Sequence, residues 1–98
     1  MYRIQFSREA EEHLEELTVR KQRIVVDEID KQLRFEPAVP TRNRKRMRKN
    51  PIAPWELRID DIRVYYEVKE DPESVVSILA IGIKIRDLVY IGGEIVDL

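Results

Sequence analysis

The sequence predicts an α+β domain in which two consecutive helices cover one face of an antiparallel-rich sheet, in the order strand, helix, helix, loop, strand, strand, strand. Three patterns carry this reading. The chain opens on a strict apolar/polar alternation, continues through two stretches with helical spacing, and ends in three strand-like runs separated by short turn signals. Its 98 residues suffice for one core, so residues 1–98 are read as a single domain.

Tyr2, Ile4 and Phe6 alternate with Arg3 and Gln5, the mark of a half-buried strand. Ser7 follows as a helix N-cap. Glu9, Glu11 and Glu12 suit the positive end of that helix, and Ala10, Leu14 and Leu17 form its apolar stripe, so the first helix is expected to run to about Leu17. Thr18 caps a second helix in which Val25, Ile29 and Leu33 recur every four residues until Pro37 and Pro40 forbid continuation. Residues 37–54 show neither period and carry four prolines, which predicts an irregular loop. WELRI, IRVYYEV and VVSILAIGIKI read as strands, divided by the turn sequences DD and EDPES. VYIGGEIV reads as a short hairpin about Gly92 and Gly93, with a C-terminal helix as the alternative.

Composition narrows the chemistry. With 38% charged residues and no long apolar run, a membrane span is not expected, and the first residues lack the character of a secretory or transit signal, which predicts a cytoplasmic protein. There is no cysteine and one histidine, His13, which reads as a partly exposed surface residue of the first helix. No metal or other cofactor is expected. The net charge of −1 is unevenly spread: six basic residues and no acid lie within 42–49, leaving the other 90 residues at −7. A local cationic patch on an acidic body fits contact with phosphate, and Arg44, Lys45, Arg46, Arg48 and Lys49 are the residues expected to make it.

Pairing the strands sharpens the site. If Asp60 and Asp61 form a two-residue hairpin loop, Ile59 faces Ile62, Arg58 faces Arg63, Leu57 faces Val64 and Glu56 faces Tyr65. Like charges then meet across the ladder, which is unfavourable unless an anion or a carboxylate such as Glu56 or Glu67 spreads the charge. In the last long strand Leu79, Ile81, Ile83 and Ile85 alternate with Ala80, Gly82, Lys84 and Arg86. With the helices on the apolar side, Arg58, Arg63, Tyr65, Lys84 and Arg86 are expected on an open face, bordered by the basic loop. Such a set suits phosphodiester chemistry in which the 2′-hydroxyl of RNA attacks its own phosphate. Arg63 would stabilise the phosphorane, Lys84 would exchange a proton, and Tyr65 or Tyr90 would stack a base. Glu56 is the one acid near enough to serve as base.

WELRIDDIRVYYEV and VVSILAIGIKIRDLVYI, in this order of elements, resemble the RelE/ParE toxins of type II toxin-antitoxin systems over most of the chain. The resemblance implies a toxin neutralised by a cognate antitoxin. For the RelE branch it implies a metal-independent, ribosome-dependent endoribonuclease that cuts mRNA and inhibits translation. By position Arg63 resembles that family's phosphate-stabilising arginine, Lys84 a basic residue after the strand glycine, and Tyr90 its C-terminal tyrosine. With Arg86 these form the expected catalytic set, while Arg58 and Tyr65 join the basic loop in binding RNA. The RelE branch has lysines where this chain has Pro54 and Glu56, and many relatives have His or Arg where it has Ile83, so no general base is assigned. Two other readings stand beside the nuclease: a ParE-like toxin that binds DNA gyrase, and a catalytically silent module that binds RNA or antitoxin.

Overall fold

The computed structural model describes all of residues 1–98. Strand β1 (Arg3–Phe6) leads into helices α1 (Arg8–Glu15) and α2 (Val19–Leu33). Strands β2 (Arg44–Arg46), β3 (Trp55–Ile59), β4 (Ile62–Lys69), β5 (Val75–Ile85), β6 (Leu88–Ile91) and β7 (Glu94–Val96) follow. The strands form one sheet in the order β2-β3-β4-β5-β6-β7, all antiparallel neighbours, while β1 pairs with β5 in parallel. Strand β5 is therefore central. One of its edges is shared, with β1 alongside Val75–Ile78 and β6 alongside Gly82–Ile85. No helix is long and apolar enough to cross a membrane.

Both expected helix caps form. The Ser7 hydroxyl accepts from the Ala10 N–H at 3.0 Å and the Thr18 hydroxyl from the Lys21 N–H at 3.2 Å. Ala10 of α1 and Val25, Ile29 and Leu33 of α2 bury against Trp55, Leu57, Ile59, Ile62, Val64, Tyr66, Val76, Ile78 and Ile81 of the sheet. Trp55 and Tyr66 stack with ring centroids 6.1 Å apart. The Tyr66 hydroxyl donates to the Pro37 carbonyl at 2.8 Å, which ties β4 to the segment that leaves α2.

Two expectations need correction. Residues 37–54 are not irregular throughout, because Arg44, Lys45 and Arg46 form the edge strand β2 opposite Leu57, Glu56 and Trp55. A short, strongly cationic edge strand resists pairing with another chain, which is why it lacks the usual apolar signal. The alternation in β5 also fails at one residue. Tyr65 faces Ala80 but Tyr66 faces Ile78, so Leu79 is an extra residue at a β-bulge. Ile78 takes the place in the main core expected for Leu79, and Leu79 packs on the other face with Tyr65 and Ala80.

Candidate functional site

The hairpin β3–β4 places the cationic residues as its turn requires. Asp60 adopts a left-handed φ of 53°, and the strands pair Ile59 with Ile62, Arg58 with Arg63, Leu57 with Val64 and Glu56 with Tyr65. Arg63 sits beside Gly82 of β5, and Lys84 lies two residues further along the same face, with its N–H donating to the Asp61 carbonyl at 2.7 Å. Arg58, Arg63 and Lys84 therefore share the side of the sheet away from the helices.

That side is not open along its length. Ala53, Tyr65 and Ala80 form a second small core, packed against Met47, Ile52, Leu79, Val89, Ile91 and Leu98. Ala80 and Gly82, though small, leave no open space, because their neighbours close over them. A Cβ on Gly82 would meet Ile91 Cγ1 and the Tyr90 carbonyl oxygen at 2.8 Å each, so the glycine serves the close approach of β6 to β5.

Beneath this cover lies a polar network. Glu56, only 7% exposed, accepts from the Tyr65 hydroxyl at 2.9 Å and lies 3.4 Å from Arg58 Nε. Arg63, 9% exposed, donates through one terminal nitrogen to the carbonyls of Asp60 and Ile62 at 2.6 and 3.0 Å. Of the two facing arginines, Arg58 is thus paired with the Glu56 carboxylate and Arg63 with backbone carbonyls. Burial pushes the Tyr65 hydroxyl well above its ordinary pKa, the Glu56 charge and hydrogen bond add to the rise, and Arg63 and Arg58 oppose it in part. Tyr65 is a buried, protonated donor and cannot stack a base, contrary to expectation.

The other expected residues separate. Arg86 is exposed at the turn between β5 and β6, with a left-handed φ of 59°. Tyr90 pairs with Ile83 and so lies on the helix side of the sheet, opposite Lys84, whose partner is Val89. The expected catalytic set of Arg63, Lys84, Arg86 and Tyr90 is not one cluster. Within the basic run, Arg44 donates to the Val39 and Gln32 carbonyls at 3.0 and 2.6 Å, so it fastens the end of α2. Arg46 lies over the Trp55 ring, 5.7 Å from its centre.

Lys45, Arg48 and Lys49 stay exposed. Arg46, Arg48 and Lys49 line an open groove of about 370 Å³ with Asn50 and Glu67. Asn50 makes this loop rigid: its side-chain oxygen accepts from the N–H groups of Ile52 and Ala53, and its amide donates to the carbonyls of Arg48 and Ala53, all within 3.0 Å. Asparagine before a proline was the available signal for that turn. His13 is partly exposed, as expected, and also makes a specific contact. It is half-buried, and its Nδ1 accepts from the Ile81 N–H at 3.2 Å, at the gap on the β5 edge between β1 and β6. No group of three His, Cys, Asp or Glu side chains is arranged to hold a metal ion.

Comparison with known proteins agrees with this architecture. The family profile described as the ParE toxin of type II toxin-antitoxin system, parDE, matches residues 4–88. Among solved structures, the toxin-antitoxin complex RelBE2 from Mycobacterium tuberculosis contains a chain that superposes with a TM-score of 0.70 at 25% identity. The match covers 85% of the present chain and 98% of that one. No curated protein matches the sequence.

Proposed function

Because the chain belongs to the ParE toxin family of type II toxin-antitoxin systems, we propose that it arrests growth by binding DNA gyrase in the cytoplasm rather than by cutting RNA, and that a cognate antitoxin restrains it. The observation that carries this reading is the division of the expected catalytic residues. A metal-free ribonuclease needs a base, an acid and a phosphate clamp converging on one phosphodiester. Here Tyr65 is buried against Glu56, one terminal nitrogen of Arg63 is bonded to two backbone carbonyls, and Tyr90 lies across the sheet from Lys84. What remains at the surface is cationic: exposed Arg58 and Arg86 with half-buried Lys84 at one end, and Lys45 on β2 with Arg48 and Lys49 on the rigid loop. Such a surface suits docking on a target steered by charge.

A second reading has its own support. Arg58, Arg63 and Lys84 do lie on one face beside the Glu56 carboxylate, and a ribosome-dependent mRNA endoribonuclease would use Arg63 on the phosphate and Glu56 as base. Expression without antitoxin separates the two. The gyrase reading expects plasmid supercoiling by purified gyrase to be inhibited, mRNA ends to be unchanged, and Arg58→Ala with Lys84→Ala to relieve the inhibition. Cleaved mRNA with unaffected gyrase would overturn it, and loss of that cleavage in Arg63→Ala would establish the nuclease.

A further inference from the structure

The groove beside the rigid loop brings together side chains of three kinds. Arg48 and Lys49 enter from the loop, Glu67 enters from β4, and Ile52, Pro54 and Leu79 supply an apolar lining. Its volume of about 370 Å³ falls in the range of roughly 300–1,000 Å³ usual for small-ligand sites. Leu79 reaches it through the β-bulge, which turns that side chain away from the helices and onto the side of Tyr65 and Ala80.

The charged groups keep most of their bonding capacity. Lys49 is exposed, and Arg48, also exposed, reaches only the Leu98 carbonyl, at 3.5 Å. The one ion pair of Glu67 is to Lys69 Nζ on its own strand, at 3.8 Å, which is beyond hydrogen-bond length. An acid and two cations thus share one groove without pairing with each other. The loop that carries the cations is fixed in advance by the four hydrogen bonds of Asn50, so a ligand would not have to order it.

We propose that this groove binds a guanine nucleotide, with phosphate on Arg48 and Lys49, the base against Ile52, Pro54 and Leu79, and its Watson–Crick edge on Glu67. The two cations select the phosphate. The carboxylate selects the base, because its two acceptor oxygens match the adjacent N1–H and N2–H donors of guanine. Adenine and cytosine offer one donor beside a ring-nitrogen lone pair, and uracil one donor between carbonyls, so each sets a lone pair against the carboxylate. An acidic peptide is the poorer occupant, since it would meet Glu67 with like charge. The same chemistry serves a free nucleotide or a guanine within a strand. This goes beyond the toxin reading and does not depend on the choice between gyrase and mRNA.

Calorimetric titration of the full chain with GDP, ADP, guanosine and pyrophosphate tests it. GDP should bind about tenfold tighter than ADP, and about tenfold or more tighter than guanosine or pyrophosphate. Glu67→Gln should keep the wild-type melting temperature and reverse the base preference, because a carboxamide offers the acceptor and the donor that the adenine edge requires. Arg48→Ala with Lys49→Ala should weaken GDP and ADP by the same factor, about tenfold, and leave their ratio unchanged. Equal affinity for GDP and ADP, pyrophosphate or a polyglutamate peptide binding as tightly as GDP, or a GDP preference that survives in folded Glu67→Gln would overturn the proposal. A 5′-phosphorylated guanine dinucleotide, titrated beside GDP, identifies the source: tighter binding assigns the site to a strand, equal or weaker binding to the free nucleotide, and either supports it. The titration involves neither gyrase nor ribosomes, so a wrong target assignment leaves its result unchanged.

Discussion

Strand β4 is buried on both faces, and the two burials rest on different physics. Toward the helices, Ile62, Val64 and Tyr66 join an apolar core with Leu57, Ile78 and Leu33. Toward the other side, Arg63 and Tyr65 are equally hidden but are held by Glu56, by backbone carbonyls and by a thin cover from Ala53, Ile52 and Met47. Stability on the first face scales with area and volume. On the second it depends on every donor and acceptor keeping its partner.

The largest expected effect lies in the apolar face. Leu57→Ala should lower unfolding free energy by about 2–5 kcal/mol, read from urea or thermal melts. Tyr65→Phe tests the polar face: it removes one donor from the buried Glu56 carboxylate and should cost about 1–3 kcal/mol in the same melts. A cost equal to that of Leu57→Ala would mean that the small second core, rather than the hydrogen bond, carries that side, and the contrast between faces would fail.

Alkaline titration sharpens the contrast. Burial raises the pKa of both Tyr65 and Tyr66 above the ordinary value near 10; Glu56 adds to the rise at Tyr65, while Arg44 opposes it at Tyr66. The folded chain keeps phenolic protons that the unfolded chain releases. Their contribution is therefore fully present below about pH 10 and is lost as pH climbs above it. Urea midpoints should fall in that range, and Tyr66→Phe, which also loses the bond to the Pro37 carbonyl, should flatten the fall. The smallest effect is expected at the sheet edge. Arg46→Ala removes a cation from over Trp55 and should cost about 0.5–1 kcal/mol by thermal melting.

Much of the architecture could be read from residue spacing. Both N-caps, the apolar stripe of α2, the Gly92-Gly93 turn and each residue pair of the β3–β4 hairpin follow from local pattern, because period and turn chemistry are properties of neighbours in the chain. The site was less legible. The bulge at Leu79 comes from how β4 and β5 settle against each other, and one displaced residue changes which face a side chain meets. The cover over Tyr65 comes from Met47, Ile52 and Ala53, whose segment has no period to betray a packing role. Grouping Tyr90 with Lys84 takes no account of how β6 pairs with β5, and the alternation of β6 sends Tyr90 to the opposite side.

The seat of β5 between its neighbours has a consequence for synthesis. Arg3–Phe6 must wait for Val75–Ile78, more than seventy residues downstream, before the parallel pair can form, and Ile62–Lys69 awaits the same strand. During translation the helices and the β3–β4 hairpin emerge well before the strand that joins them into one sheet, so closure belongs to the last part of chain elongation. A growing chain therefore spends most of its time on the ribosome without its assembled sheet.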